Sequence, residues 1–122
     1  ITQEDVTTSA FQIAAGNDTV KVTLKKGTFH TSKTNTSLYN VSGETVESVA
    51  FENSNKTLVL TIVAADAQNN NATVNITAEA FTEDTVVTNA DVETPIASTK
   101  EEELSALSFT KRAKNKKDGE IE

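Results

Sequence analysis

At 122 residues with a formal charge of −7, the chain has the length of one domain and lacks several kinds of chemistry outright. Without cysteine there is no disulfide framework, thiolate nucleophile or cysteine zinc site, and a single histidine cannot make a histidine cluster. Apolar residues reach 36 %, enough for a core beneath a polar surface, and no run approaches the about 18 consecutive apolar residues of a membrane span.

The dominant hydrophobic period is two, the signature of half-buried strands. Phe11 and Ile13 mark a first strand that closes at Gly16-Asn17-Asp18. From Thr19 to Lys26, Val20, Val22 and Leu24 share one face while Lys21, Thr23 and Lys25 share the other, until Gly27 ends the run. Leu38 to Val41 is a short strand stopped by Ser42-Gly43, and Thr45 to Phe51 resumes with Val46, Val49 and Phe51 before the turn-rich stretch Glu52 to Lys56. Thr57 to Ala64 is the most apolar run, with Leu58, Leu60 and Ile62 opposite Val59 and Val63, and predicts a central strand covered on both faces. Asp66 to Asn71 has the composition of a loop, and Ala72 to Phe81 alternates again, so this strand and its predecessor read as a hairpin. Thr85 to Thr88 predicts a brief strand, and Pro95 breaks regularity near the edge of the domain. The remainder behaves differently: Glu101 to Glu103 precede Leu104 and Leu107, and bases follow from Lys111 to Lys117. That polarity suits a helix over about 100 to 117. Alternation from Leu104 to Lys111 suits equally a strand of a following or neighbouring module.

Six or seven short strands without an intervening helical period predict an all-β fold, an Ig-like antiparallel sandwich of about seven strands, over 1–97, with a charged extension over 98–122. The absence of Trp and of a disulfide excludes an antibody-type core but not the sandwich architecture.

Charge is segregated. Residues 1–110 hold six lysines against fifteen acidic residues, a net of −9, whereas 111–122 are net +2. An acidic body argues against nucleic acid, which requires a basic face on the folded part. Because the chain starts at Ile1 and contains no Met, we read it as a processed chain or a piece of something longer, with no leader and no membrane insertion by this segment. Six Asn-x-Ser/Thr triplets begin at Asn17, Asn35, Asn40, Asn55, Asn71 and Asn75, where chance supplies roughly two or three. They are candidate glycosylation sites, although Asn in turns and Thr in strands produce the same triplet without a sugar.

The stretches Asn17 to Phe29, Leu38 to Gly43, Val46 to Phe51 and Thr73 to Phe81 resemble, in strand rhythm and turn placement, the Ig-like repeats of bacterial cell-surface and S-layer-associated proteins. The resemblance covers roughly residues 5 to 95 and implies a module of an exported wall or surface protein, acting as spacer, lattice unit or adhesive domain. It transfers no catalytic residue.

Candidate chemistry is sparse. His30 has no nucleophile-elbow context, and Glu83-Asp84 sits in a predicted turn, so no catalytic residue is assigned. Calcium is the one cofactor the loops could serve: Asp66, Asn69 and Asn71 offer oxygens without the Asp-x-Asp-x-Asp-Gly order, and Asp18, Glu83, Asp84 and Asp91 could join if loops cluster. Tyr39 is a weak platform for a sugar. A Lys21 or Lys25 to Asn89 isopeptide is conceivable, but both lysines point outward in this reading. The expected function is a non-enzymatic structural or adhesive surface module, partnered by neighbouring domains or subunits, or by cell-wall or host glycan. The alternatives are an extracellular filament subunit assembled by strand exchange and a carbohydrate- or calcium-binding module.

Overall fold

The structure is a computed structural model that describes residues 2–99; the helix or strand expected after residue 100 lies outside the described residues. The chain is an antiparallel all-β sandwich. The nine strands among the described residues are β1 (Val6–Thr7), β2 (Phe11–Ile13), β3 (Thr19–Thr23), β4 (Tyr39–Val41), β5 (Val46–Glu52), β6 (Thr57–Ile62), β7 (Asn69–Ala72), β8 (Val74–Ile76) and β9 (Ile96–Ser98). One layer is a four-stranded sheet, β5-β6-β3-β9; the other consists of the three-stranded sheet β1-β8-β4 and the pair β2-β7.

The count exceeds about seven because two runs are each interrupted once. From Thr7 to Phe11 the first run advances four residues while its partner advances three, from Asn75 to Ala72. From Phe11 to Ile13 the imbalance reverses, two residues against three from Ala72 to Asn69. The two bulges cancel, so Val6, Phe11 and Ile13 all point inward despite the break. Thr8 holds the gap closed: its N–H donates to the Val74 carbonyl at 3.0 Å and its Oγ1 accepts the Val74 N–H at 3.0 Å.

The predicted alternation sets the core. Val20, Val22, Leu58, Leu60 and Ile62 from one layer meet Tyr39, Val41, Val74 and Ile76 from the other in a single cluster, all at most 2 % exposed. Phe29 closes one end of this core, with its ring centroid 5.5 Å from Phe81 and 5.8 Å from Phe51. On the outer face of the four-stranded sheet, threonines pair across strands, Thr19 with Thr61 and Thr23 with Thr57, the second pair with hydroxyls 3.0 Å apart.

The inner strands pair as in an immunoglobulin sandwich, with β3-β6-β5 in one sheet and β8-β4 in the other. The terminal runs change places: β1 lies against β8 where the last strand would be, and β9 lies against β3 where the first would be. Residues 2–5 therefore approach at the end where Gln3 bonds Val87, and Ser98 leaves at the opposite end, where its carbonyl accepts the Asp18 N–H at 3.1 Å.

Several expectations are corrected. β6 is central within its sheet but covered on one face only: Val59 is half-buried and Val63 is 48 % exposed. The Asp66–Asn71 stretch is not all loop, because Asn69 to Asn71 belong to β7, where backbone pairing with β2 outweighs the turn preference of asparagine. β6 and the following strand are not a hairpin; the chain crosses between layers from β6 to β7. The alternating run from Ala72 stops at Ile76, and Ala78–Ala80 forms a 3-10 turn that still buries Ala80. Thr85 to Thr88 is not a strand; Val87 is buried there as a plug against Gly27. β1 was missed because two residues show no period, and β9 begins directly after Pro95 and runs across position 97.

Candidate functional site

The end of the sandwich opposite Phe29 carries an open cleft of about 550 Å³, walled by Gly43 to Thr45, by Val63 and Ala64, and by Asp66 to Asn71. Its position follows from local chemistry. Gly43 adopts φ +80° in the turn between β4 and β5, which favours glycine, and a Cβ there would stand 2.9 Å from Asn69 Nδ2. Through that gap Asn69 donates to the Ser42 carbonyl at 2.9 Å and to Glu44 Oε2 at 3.2 Å, while its Oδ1 accepts the Asn71 N–H at 3.3 Å. Thr73 N–H donates to Ser42 Oγ at 2.9 Å and extends the same stitch.

The three calcium candidates Asp66, Asn69 and Asn71 all line this cleft, but none of Asp18, Glu83, Asp84 and Asp91, which loop clustering would have to bring to them, does so. Asn69, however, presents its amide to Glu44 and commits its oxygen to the backbone, the arrangement of a strut. Asp66 and Asn71 are exposed, and among the described residues no three His, Asp or Glu side chains converge on a point. Asp18 and Asp91 lie at opposite ends, near Ser98 and near Lys25 respectively. Asp91 belongs to a capping box: it accepts the Thr88 N–H at 2.8 Å and hydroxyl at 2.9 Å, and these bonds first, with Lys26 at 3.8 Å and Lys25 assisting, hold its carboxyl below the ordinary value.

A second cleft of about 520 Å³ sits beside His30, Lys33, Glu79 and Phe81. His30 Nδ1 lies 3.0 Å from Ser32 Oγ, but both are exposed on a turn and no carboxylate among the described residues bonds the ring. Lys33 and Glu79 stand 3.9 Å apart at the surface. Tyr39 is no sugar platform: it is 1 % exposed, its hydroxyl donates to the Lys33 carbonyl at 2.6 Å, and burial, with Glu79 second, pushes its pKa from 10.0 to about 12. Of the isopeptide candidates, Lys21 lies 3.2 Å from Glu52, Lys25 is exposed, and Asn89 Oδ1 accepts the Thr7 N–H at 2.9 Å.

The six glycosylation triplets all reach the surface but differ in access. Asn35, Asn40, Asn55 and Asn71 are exposed; Asn17 and Asn75 are half-buried. Asn17 Oδ1 accepts the Ala14 N–H at 2.9 Å, and Asn75 Nδ2 donates to Thr7 Oγ1 at 2.9 Å. No family model, no curated protein and no solved structure matches the chain. Among the described residues no helix is long and apolar enough to cross a membrane.

Proposed function

We propose that the chain is a non-enzymatic structural or adhesive Ig-like module of an exported cell-surface or S-layer-type protein. The observation that carries this reading is the path of the chain: its first described residues and Ser98 lie at opposite ends of a sandwich with a continuous core, a layout suited to joining modules in line. The surface suits the same role. Threonine, serine and asparagine cover the strands, and acidic charge keeps such modules hydrated and apart. The cleft at the Gly43–Asn71 end, rich in the amides of Gln68 to Asn71, is where an adhesive contact is proposed. Treating intact source cells with a membrane-impermeant amine reagent tests the location, since Lys25 and Lys26 are exposed. Labelling of these lysines before lysis is expected; labelling only after lysis contradicts export.

A filament subunit assembled by strand exchange is the second reading, favoured by the two edges of the four-stranded sheet, β5 and the three-residue β9 with Ile96 69 % exposed. Concentration-dependent polymers that vanish when 1–10 or 104–111 are deleted would establish it over the spacer. A calcium or glycan module is tested by calorimetry with calcium and by a glycan screen, where heat or a specific hit would favour it.

A further inference from the structure

We propose that Asn35 is the glycan attachment site of this domain, a modification that rests on the export stated above. Six acceptor triplets exceed the roughly two or three expected by chance, yet the fold accounts for most of them. The triplets starting at Asn40, Asn71 and Asn75 each place the asparagine on a strand, β4, β7 and β8, and the serine or threonine just past it, positions those residue types favour without a sugar. A turn asparagine followed by the first threonine of a strand explains Asn17 before β3 and Asn55 before β6.

Modification of the folded domain requires a reachable amide nitrogen and a reachable hydroxyl two residues on, because the triplet is read as a unit. Thr19 and Thr57 are 3 % and 1 % exposed, so the triplets at Asn17 and Asn55 are sealed. Asn75 has its amide tied to Thr7. Ser42 and Thr73, which complete the triplets of Asn40 and Asn71, are half-buried and bonded to each other. At Asn35 both members are exposed. Its Oδ1 accepts the Ser37 N–H at 3.0 Å and the Ser37 hydroxyl at 2.9 Å, capping the 3-10 turn Thr36–Leu38, while Nδ2 of this exposed residue takes no part in the cap. The cap uses only the oxygen, so the nitrogen is available without loss of the turn.

The co-reactant is a glycosyl pyrophosphate donor. The Asn35 amide nitrogen forms a bond to the anomeric carbon as the bond from that carbon to the phosphate oxygen breaks. The pyrophosphate leaves with the electron pair, and the amide nitrogen loses one proton. A sugar there stands beside β4, an edge strand of its sheet, and would shield that edge from pairing with another chain.

Peptide mass spectrometry on protein from the cell-surface fraction of the source organism tests the assignment. The expected result is a sugar on the Asn35 peptide alone, lost completely in Ser37→Ala and Asn35→Gln variants that retain the wild-type circular dichroism. Surface-located protein with Asn35 unmodified overturns the proposal and leaves export standing. Sugar on Asn17 or Asn55 also overturns it, since folded-state access would then not decide the site. Protein confined to the cytosol overturns both readings.

Discussion

Tyr39 shows how one residue couples packing to pH. Its hydroxyl is buried against the Lys33 carbonyl, and the neutral form is favoured in the folded state, with the pKa raised from 10.0 to about 12. The stabilisation is fully present below 10 and is lost as pH rises from 10.0 to about 12, because the unfolded chain releases that proton first. Replacing Tyr39 with Phe should cost about 1 kcal/mol at neutral pH, since the Lys33 carbonyl loses its donor. The same variant should flatten the alkaline limb in urea unfolding followed by circular dichroism; an unchanged alkaline limb would remove Tyr39 from the account. Gly43 is the other decisive residue. Gly43→Ala meets a left-handed backbone and an Asn69 amide 2.9 Å away, and an expected loss of about 1–3 kcal/mol is readable from the same unfolding curves. Neither role is legible from sequence: Tyr39 reads as a weak sugar platform rather than a buried residue, and nothing within Gly43's neighbourhood in the chain announces Asn69.

At the scale of elements, strands with apolar residues on the buried face were legible, including the three-residue β2 and β4, and the two terminal ones, β1 and β9, were not. β3 and β6 reveal themselves because five or six residues alternate against a buried face, and Val20, Val22, Leu58, Leu60 and Ile62 lie where the period puts them. β1 has only two residues and β9 shows no inward alternation, its Ile96 being exposed, and both exist because a distant strand supplies their hydrogen bonds. Asn69 to Asn71 misled for the opposite reason: composition pointed to a loop, while the open edge of β2 captured them. The break between β1 and β2 depends on the Thr8 hydroxyl, which no pattern singles out. Thr8→Val keeps the shape but leaves the buried Val74 N–H without an acceptor, and a loss of about 1–3 kcal/mol is expected by thermal or chemical unfolding. The β5–β6 turn holds three consecutive left-handed residues, Asn53, Ser54 and Asn55, at φ 54°, 57° and 67°. Serine gains less than asparagine from local hydrogen bonding in that region, so Ser54→Gly should raise stability by about 0.5–1 kcal/mol; a destabilised variant would show that the turn is not strained at that residue.

For the whole molecule, composition and period lead to two sheets around one core, and the structure adds the path. The sequence reading places strands in order but contains no information on which sheet a terminal strand joins, because β1 and β9 would bury equivalent faces on either layer. The candidate cleft was half legible: Asp66, Asn69 and Asn71 were singled out for their oxygens, whereas Gly43, Glu44 and Thr45 reach the same place from far earlier in the chain. β1 forms an edge of the three-stranded sheet beside β8 and β9 an edge of the four-stranded sheet beside β3, and entry and exit fall at opposite ends. The proposed in-line role depends on that arrangement. Backbone nuclear Overhauser contacts in isotopically labelled protein test it most directly. Contacts of Val6 with Ile76 and of Val20 with Ala97 are the predicted result; contacts of Val6 with β3, or of Ala97 with β8, would contradict it.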